Sequence, residues 1–323
     1  MLYIVMMLGY LMENKESATQ IIFKIEDEIK SSKCDLDALF SNLKESFGKE
    51  DLSLIYSMSL GGIKAPNFLR KLITEIDKLR HPRNLDDLID FILGVDDKNF
   101  EEQGDYINLK VLAIKAISNY KNIKAVTPLL YCLNNKRENY KFRLAAAEAL
   151  GKIGDRNAVE SLIDIVSDED EKSVYVRESA AHALGMIGDE RALDAFVGIL
   201  EAKKSFLSKF TFLKERIIEA LAKIDFAGNK RAIAALKEAL NDESAQVRIN
   251  AIESIMNSMD TEAVELIWKM LYDQDEEVRK NAVIALYNLE GRDILIKILA
   301  DDSLLIDCKD EAQAILDDEE EDE

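Results

Sequence analysis

A segment that recurs at intervals of 31 to 37 residues constrains the fold of this chain more than any other feature. The clearest copies are FRLAAAEALGKIGDRNAVESLIDIV, which starts at Phe142, and VRESAAHALGMIGDERALDAFVGIL, which starts 34 residues later at Val176. One basic residue marks each copy, and an apolar residue follows it seven positions later. The six markers are Lys110, Arg143, Arg177, Lys214, Arg248 and Arg279. A constant offset within a nearly constant period indicates tandem structural repeats.

Each repeat contains two helical patterns separated by glycine. In the copy that starts at Phe142, Leu144, Ala147 and Leu150 recur at the spacing of one helix face. Gly154 then suits a helix end, and AVESLIDIV begins a second helix. A lone helical hairpin leaves an apolar face exposed, whereas stacked neighbours cover it. The pattern therefore predicts an all-α protein whose repeats form an α-solenoid of stacked helical hairpins.

The repeat resembles the HEAT-like family, in particular the short units named for phycobilin lyases. In that family an acidic residue at the end of a second helix precedes a Val-Arg pair, and the two form a ladder between neighbouring repeats. Here Asp242 precedes Arg248 by six residues, and Asp273 precedes Arg279 by six. The resemblance implies a superhelical fold with a structural ladder, whose members here are Arg177, Asp242, Arg248, Asp273 and Arg279.

The ladder is not expected to be continuous. Glu171 takes the acidic place before Arg177, but the place before Arg143 is occupied by Arg137. Ser208 occupies it before Lys214. The ladder is therefore expected to fail at Arg143 and at Lys214.

The repeats define a domain organisation. We expect five segments: an apolar N-terminal segment at 1–12, a helical region with one degenerate repeat at 13–104, six repeats at 105–303, a capping helix at 304–317 and an acidic tail at 318–323. The first segment is too short to span a bilayer. It could dock on the repeats, anchor weakly at a membrane surface, or be untranslated if synthesis starts at Met12; we favour the last.

The charge of the chain limits its partners. Its 42 basic and 62 acidic residues give a net charge of −20, which repels phosphate backbones and disfavours nucleic acid as a partner. One stretch is basic, with eight cations against Glu138 between residues 106 and 143. We interpret it as a basic patch, composed of Lys110, Lys115, Lys121, Lys124, Lys136, Arg137 and Lys141.

No motif for catalysis, a metal or a cofactor stands out. Deoxyhypusine hydroxylases, which share the HEAT-like fold, carry His-Glu pairs at the start of several first helices, and none follows a marker here. The chain has only two histidines, His81 and His182, in different units. A site built from carboxylates alone stays conceivable. We expect no catalytic residue, no metal and no cofactor, and therefore a protein that is not an enzyme.

Partner-binding residues are suggested by aromatic side chains at repeat positions that are otherwise polar. Tyr131 aligns with Asp164, Gly198, Glu238 and Lys269 on the second helices, and Tyr272 aligns with Asn134, Ser167, Glu201 and Asn241. Trp268 aligns with three apolar residues and Lys237. Large aromatic side chains often anchor interfaces. The alternative is that each ring packs on a neighbouring helix.

A second candidate surface is the insertion between the third and fourth repeats. It mixes cations with three phenylalanines, and the candidate residues are Lys203, Lys204, Phe206, Lys209 and Phe210. The alternative is a longer first helix that buries Phe206, Phe210 or Phe212. That alternative accounts for two rings, so an exposed third ring would mark a contact site.

These features predict a scaffold. We expect a non-catalytic scaffold or adaptor that binds one or more proteins. It would lie in the cytoplasm, since its three cysteines form no disulfide framework. It would have no transmembrane segment. The alternative is an accessory subunit of an enzyme, such as a chromophore- or cofactor-attachment lyase.

Overall fold

The computed structural model describes residues 18–30, 34–94, 105–202, 210–226, 229–257 and 264–322. The apolar segment 1–12 lies outside these ranges, as do the candidate residues Lys203, Lys204, Phe206 and Lys209. The described residues form eighteen α-helices and no strand, so the prediction of an all-α fold is confirmed. The chain divides into two compact units, Met1–Asp155 and Arg156–Glu323.

Unit 1 contains the helices that precede the repeats, the first repeat, and the first helix of the second repeat. The helices are α1 (Ala18–Lys30), α2 (Leu36–Ser46), α3 (Lys49–Gly62), α4 (Pro66–Leu79), α5 (Arg83–Leu93), α6 (Asp105–Tyr120), α7 (Val126–Asn134) and α8 (Tyr140–Ile153). Both α4 and α5 pack against α6, and α6 packs against α8. These contacts join the helices before residue 104 and the first repeat in one compact unit. The helices α3 and α4 pack against each other as a hairpin.

Unit 2 is a two-layered array of hairpins. Its helices are α9 (Val159–Ser167), α10 (Val174–Ile187), α11 (Ala192–Glu201), α12 (Thr211–Leu221), α13 (Lys230–Ala239), α14 (Ala245–Asn257), α15 (Val264–Met270), α16 (Glu276–Glu290), α17 (Arg292–Ala300) and α18 (Ile306–Asp322). Each first helix packs on the next, in the order α10, α12, α14, α16 and α18. The second helices α9, α11 and α13 form the other layer. This is the stacked solenoid that the periodicity predicts.

Glycine sets both the ends and the spacing of the first helices. Gly154 and Gly188 end α8 and α10 in the left-handed region, with φ of 77° and 69°, where a Cβ is unfavourable. Gly185 serves a different purpose, because a Cβ there would lie 2.8 Å from the Cα of Ala220 on α12. The absence of a side chain at Gly185 therefore permits the close approach of α10 to α12.

The last helix is longer than expected. It runs from Ile306 to Asp322, so the segment predicted as an acidic tail continues the predicted capping helix. Glu319 accepts hydrogen bonds from the hydroxyl of Tyr287 and from Arg292. These two contacts with the preceding repeat provide a physical reason for the longer helix.

The ladder exists, but its carboxylate partners differ from those expected. Arg248 donates from Nη1 to the backbone carbonyl of Asp242 at 2.8 Å, and not to the carboxylate of that residue. Its Nε and Nη2 donate to the carboxylate of Asp273, one repeat further on. Arg279 likewise binds the carbonyl of Asp273 at 2.7 Å and the carboxylate of Asp307 at 2.8 Å. Each arginine thus joins the end of the preceding second helix, where carbonyls lack helical partners, to a carboxylate that follows the second helix of its own repeat.

The expected failure at Lys214 is also corrected. Its ammonium group lies 2.6 Å from the carboxylate of Asp242, which follows the second helix of the same repeat. Because this carboxylate does not come from position 208, a serine at that position does not prevent the ion pair. Arg143 donates to the carbonyl of Leu133 at 2.7 Å, which again is a bond to the end of a second helix.

Candidate protein-binding surfaces

Tyr131 lies on α7 at a position that faces solvent in every aligned repeat. Its side chain is 65% exposed. The aligned residues of unit 2 are also exposed: Asp164, Gly198, Glu238 and Lys269. The repeat fold therefore does not require a ring at this position, which is consistent with a role in binding.

Trp268 lies on α15 and Tyr272 follows that helix. Trp268 is less exposed than Tyr131, and Tyr272 has hydrogen-bond partners in the next repeat. The ring of Trp268 is half-buried, and at the aligned position of α17 Ile296 is exposed. Tyr272 is exposed, but its hydroxyl lies 2.8 Å from Oγ of Ser303 and 3.4 Å from a carboxylate oxygen of Asp301. Part of the role of Tyr272 is thus to join two neighbouring repeats.

The two phenylalanines at the end of the insertion differ in exposure. Phe210 is half-buried, and its ring centroid lies 5.4 Å from the guanidinium carbon of Arg177. The face of an aromatic ring attracts a cation at this distance. Phe212, two residues later, is exposed. It is therefore the exposed ring that would mark a contact site.

A position on the first helices also carries exposed rings that the sequence analysis missed. It lies two residues before each basic marker, and its six occupants are all exposed: Asn108, Lys141, Tyr175, Phe212, Gln246 and Glu277. Tyr175 and Phe212 stand on α10 and α12, which pack against each other. On the second helices, candidates were aromatic residues at positions that are polar in the other repeats. The same criterion applied to the first helices identifies both Tyr175 and Phe212.

The predicted basic patch is not one surface. Lys110 is buried, and its ammonium group lies 5.0 Å and 5.3 Å from the ring centroids of Tyr106 and Phe142. The other predicted members are exposed. Lys121 and Lys124 precede α7, whereas Lys136, Arg137 and Lys141 follow it, and Lys115 lies on α6. Because α7 has nine residues, the lysines before this helix and the cations after it lie about 13 Å apart, at its opposite ends.

The net charge is distributed very unequally between the two units. Unit 1 carries 22 Lys and Arg against 23 Asp and Glu, a net charge of −1. Unit 2 carries 20 against 39, a net charge of −19. The acidic character of the chain therefore belongs almost wholly to the second unit.

Ion pairs also connect the second helices of neighbouring repeats, and the repeat pattern does not predict them. Arg191 lies 3.0 Å from the carboxylate of Glu160 in the preceding repeat, and Arg231 lies 2.8 Å from that of Glu201. Hydrogen bonds from Arg191 also lower the pKa of Asp189 to about 2. These contacts neutralise part of the acidic charge on the second-helix face.

The histidines have contacts that resemble catalytic geometry, but one of the groups is inaccessible. Nδ1 of His81 lies 2.9 Å from Oγ of Ser53, and Nε2 lies 3.0 Å from a carboxylate oxygen of Glu50. Ser53 is 0% exposed, so its hydroxyl cannot reach a substrate. We interpret the trio as a structural connection between α3 and the loop before α5. His182 lies 3.9 Å from Glu219 on the neighbouring first helix.

The described residues contain no group of three or more His, Cys, Asp or Glu side chains that could hold a metal ion. Two clefts of about 230 and 280 Å³ are present, and both are smaller than the roughly 300–1,000 Å³ of ordinary small-molecule sites.

Over the part of the chain that the structure covers, none of the helices combines the length and hydrophobicity needed to cross a bilayer.

Comparison with known proteins gives one family. A family model for HEAT repeats matches residues 100–174, 126–210, 208–287 and 233–305. These ranges together cover more than half of the chain. No curated protein matches the chain.

Several solved structures are similar to the chain. The complex of CpcE and CpcF of phycocyanin lyase from Nostoc sp. shares 24% identity, covers 68% of this chain and 81% of that chain, and has a TM-score of 0.47. Human deoxyhypusine hydroxylase shares 18% identity over 83% and 96% of the two chains, with a TM-score of 0.36. A designed armadillo repeat protein shares 18% identity over 64% and 100%, with a TM-score of 0.42.

Proposed function

Because the chain belongs to the HEAT-repeat family, we propose that it is a non-catalytic scaffold or adaptor that binds one or more proteins. One observation carries the proposal. Tyr131, Tyr175 and Phe212 are exposed at repeat positions whose other occupants are also exposed. The fold does not require a ring at these positions, since polar residues or glycine occupy them in other repeats. Aromatic side chains contribute strongly to binding when a partner buries them.

The test is affinity capture from the native cell with the full chain as bait, followed by mass spectrometry. Wild-type protein is compared with a variant that combines Tyr131→Ser, Tyr175→Ser and Phe212→Ser. We expect one or a few proteins to be captured by the wild type and lost from this variant. A control variant combines Asp164→Ser, Gln246→Ser and Lys269→Ser, at exposed positions of the same two columns, and should retain them.

Melting temperatures of the three proteins show whether the variants are folded. A set of captured proteins that is the same for wild type and the aromatic variant would contradict the proposal. Stoichiometric iron or zinc in protein purified without a tag would contradict the non-catalytic part of it.

The alternative function is an accessory subunit of an attachment lyase, which rests on the type of repeat alone. The two functions differ in what the captured protein does. If the captured protein is an enzyme whose turnover requires this chain, the alternative is correct. If it is active without this chain, or is not an enzyme, the scaffold is correct.

The proposed compartment is the cytoplasm. All three cysteines are free, and Cys132 and Cys308 are buried. Burial raises the pKa of the Cys132 thiol to about 12, so the reactive thiolate is scarce at neutral pH. Free buried thiols fit a reducing environment. Fractionation of the native cell tests the compartment.

A further inference from the structure

We propose that the C-terminal corner of unit 2 is a docking site for a protein segment that is rich in Lys and Arg and contains apolar residues. The C-terminal corner consists of the exposed side chains Tyr272, Leu305 and Ile306, together with the acidic stretches 273–280 and 301–311. The inference rests on the proposed scaffold function and adds the chemical class of a partner.

The apolar centre of the corner is exposed at the start of the last helix. Leu305 is 55% exposed and Ile306 is 70% exposed, whereas the neighbouring Leu304 is buried. The last helix packs through Cys308, Ala312 and Leu316, which are buried. The two exposed aliphatic side chains therefore contribute little to the packing of that helix.

The loop that presents these side chains is held in place. Asp301 accepts hydrogen bonds from the backbone N–H of Ser303 at 2.9 Å and from its hydroxyl at 2.6 Å. The hydroxyl of Tyr272 lies 2.8 Å from the same Ser303 hydroxyl. The ring of Tyr272 is thereby connected to the loop two residues before Leu305. A surface that is ordered before binding loses less conformational entropy when a partner docks.

The charge around the apolar centre selects the occupant. Residues 273–280 and 301–311 contain nine Asp and Glu against Arg279, Lys280 and Lys309. Each of these cations is already paired within the corner: Arg279 with Asp307, Lys280 with Glu276, and Lys309 with Asp302. Arg248 also pairs with Asp273, so five carboxylates remain in excess. A cationic segment is attracted to such a surface, whereas acidic proteins and nucleic acids are repelled.

A second copy of the chain is disfavoured as the occupant. Two corners brought together by a two-fold axis would place like charges opposite each other, and like charges at an interface oppose association. The negative charge of the corner therefore favours a partner of opposite charge over self-association.

The test uses the full chain and a fluorescein-labelled synthetic peptide of alternating Lys and Leu. Two further peptides replace every Lys by Glu or every Leu by Ser. We expect the Lys-Leu peptide to bind and both replacements to abolish most of the anisotropy change. Ile306→Ser and Leu305→Ser should each weaken binding about tenfold, the usual scale for removing a well-buried apolar anchor. Added salt should weaken binding further.

The matched control is Ile296→Ser, which replaces an exposed aliphatic residue on α17 outside the corner and should leave the affinity unchanged. Hydrogen exchange of wild-type protein gives a second measurement, in which the peptide should protect residues 301–308. Three results would overturn the proposal. The Glu-Leu peptide could bind as tightly as the Lys-Leu peptide, or Ile296→Ser and Ile306→Ser could weaken binding equally. The third is that the peptide slows hydrogen exchange only outside residues 301–308. So would a wild-type dimer that Ile306→Ser converts to a monomer in light scattering.

The failure of this inference is separable from that of the proposed function. Captured proteins that depend on Tyr131, Tyr175 and Phe212, together with no binding of the Lys-Leu peptide, would sink the inference and leave the scaffold intact. Binding of the peptide at the corner with no captured protein would sink the scaffold and support the corner as a binding surface.

Discussion

Arg248 donates two hydrogen bonds to the carboxylate of Asp273, at 2.8 and 2.7 Å, although the two residues are 25 positions apart. Their side chains are only 6% and 9% exposed. The same guanidinium binds the carbonyl of Asp242. One side chain thus connects the end of one second helix to the next repeat, which makes the ladder a link between neighbours.

The first prediction concerns this pair. Arg248→Ala should lower the free energy of unfolding by about 3 kcal/mol, because it leaves the buried carboxylate of Asp273 unpaired. Lys230→Ala, at an exposed position, should change it little. Thermal and urea denaturation followed by circular dichroism measure both. Similar small changes for the two variants would show that the pair does not stabilise the array.

The second prediction separates Arg177 from Arg248. Arg177 is fully buried and donates to the carbonyl of Asp168 at 2.9 Å, and its Nε has no hydrogen-bond partner. Burial lowers the pKa of its guanidinium. Arg177→Met should therefore lose less stability than Arg248→Met, which should lose about 3 kcal/mol. Urea denaturation is the measurement, and a larger loss for Arg177→Met would contradict this ranking.

The third prediction concerns acid stability. Hydrogen bonds from Arg191 hold the pKa of Asp189 at about 2, below the value of about 4 for an unfolded chain. The stabilisation is present above pH 4 and is lost as the pH falls from about 4 to about 2. Asp189→Asn should thus destabilise the protein at pH 7, and the difference from wild type should shrink over that interval.

Urea denaturation at a series of pH values tests the third prediction, with Asp164→Asn as the control at an exposed position. The control should lie close to wild type at pH 7. If the difference between Asp189→Asn and wild type does not depend on pH, the contact with Arg191 does not act through ionisation.

The fourth prediction concerns the spacing of α10 and α12. Gly185→Ala should lower the free energy of unfolding by about 1–3 kcal/mol, because the new methyl group would overlap the backbone of Ala220. Gly198→Ala is the control, since a Cβ on that helical glycine meets no atom within 4 Å. It should raise stability by up to about 1 kcal/mol. A stabilising Gly185→Ala would mean that the two helices can separate without cost.

Much of the fold follows from the sequence alone. Helical periodicity, glycine at helix ends and a recurring basic marker are local properties, and local spacing decides which side chains share a helix face. The helical hairpins from α6 to α17 and the exposed column of Tyr131 could therefore be predicted. The same method could have identified Tyr175 and Phe212, because their column is equally regular.

Contacts between repeats were decided by the tertiary structure. The marker at Arg248 was visible in the sequence, but its carboxylate partner was Asp273 and not Asp242, because stacking determines which loop the guanidinium reaches. Stacking likewise buried Lys110 between two rings and joined Tyr272 to Ser303. The eight cations of residues 106–143 are neighbours in sequence, but α7 separates the groups at its ends. Sequence determines the charge and the helix, whereas only packing determines which charged side chains meet and which remain exposed to a partner.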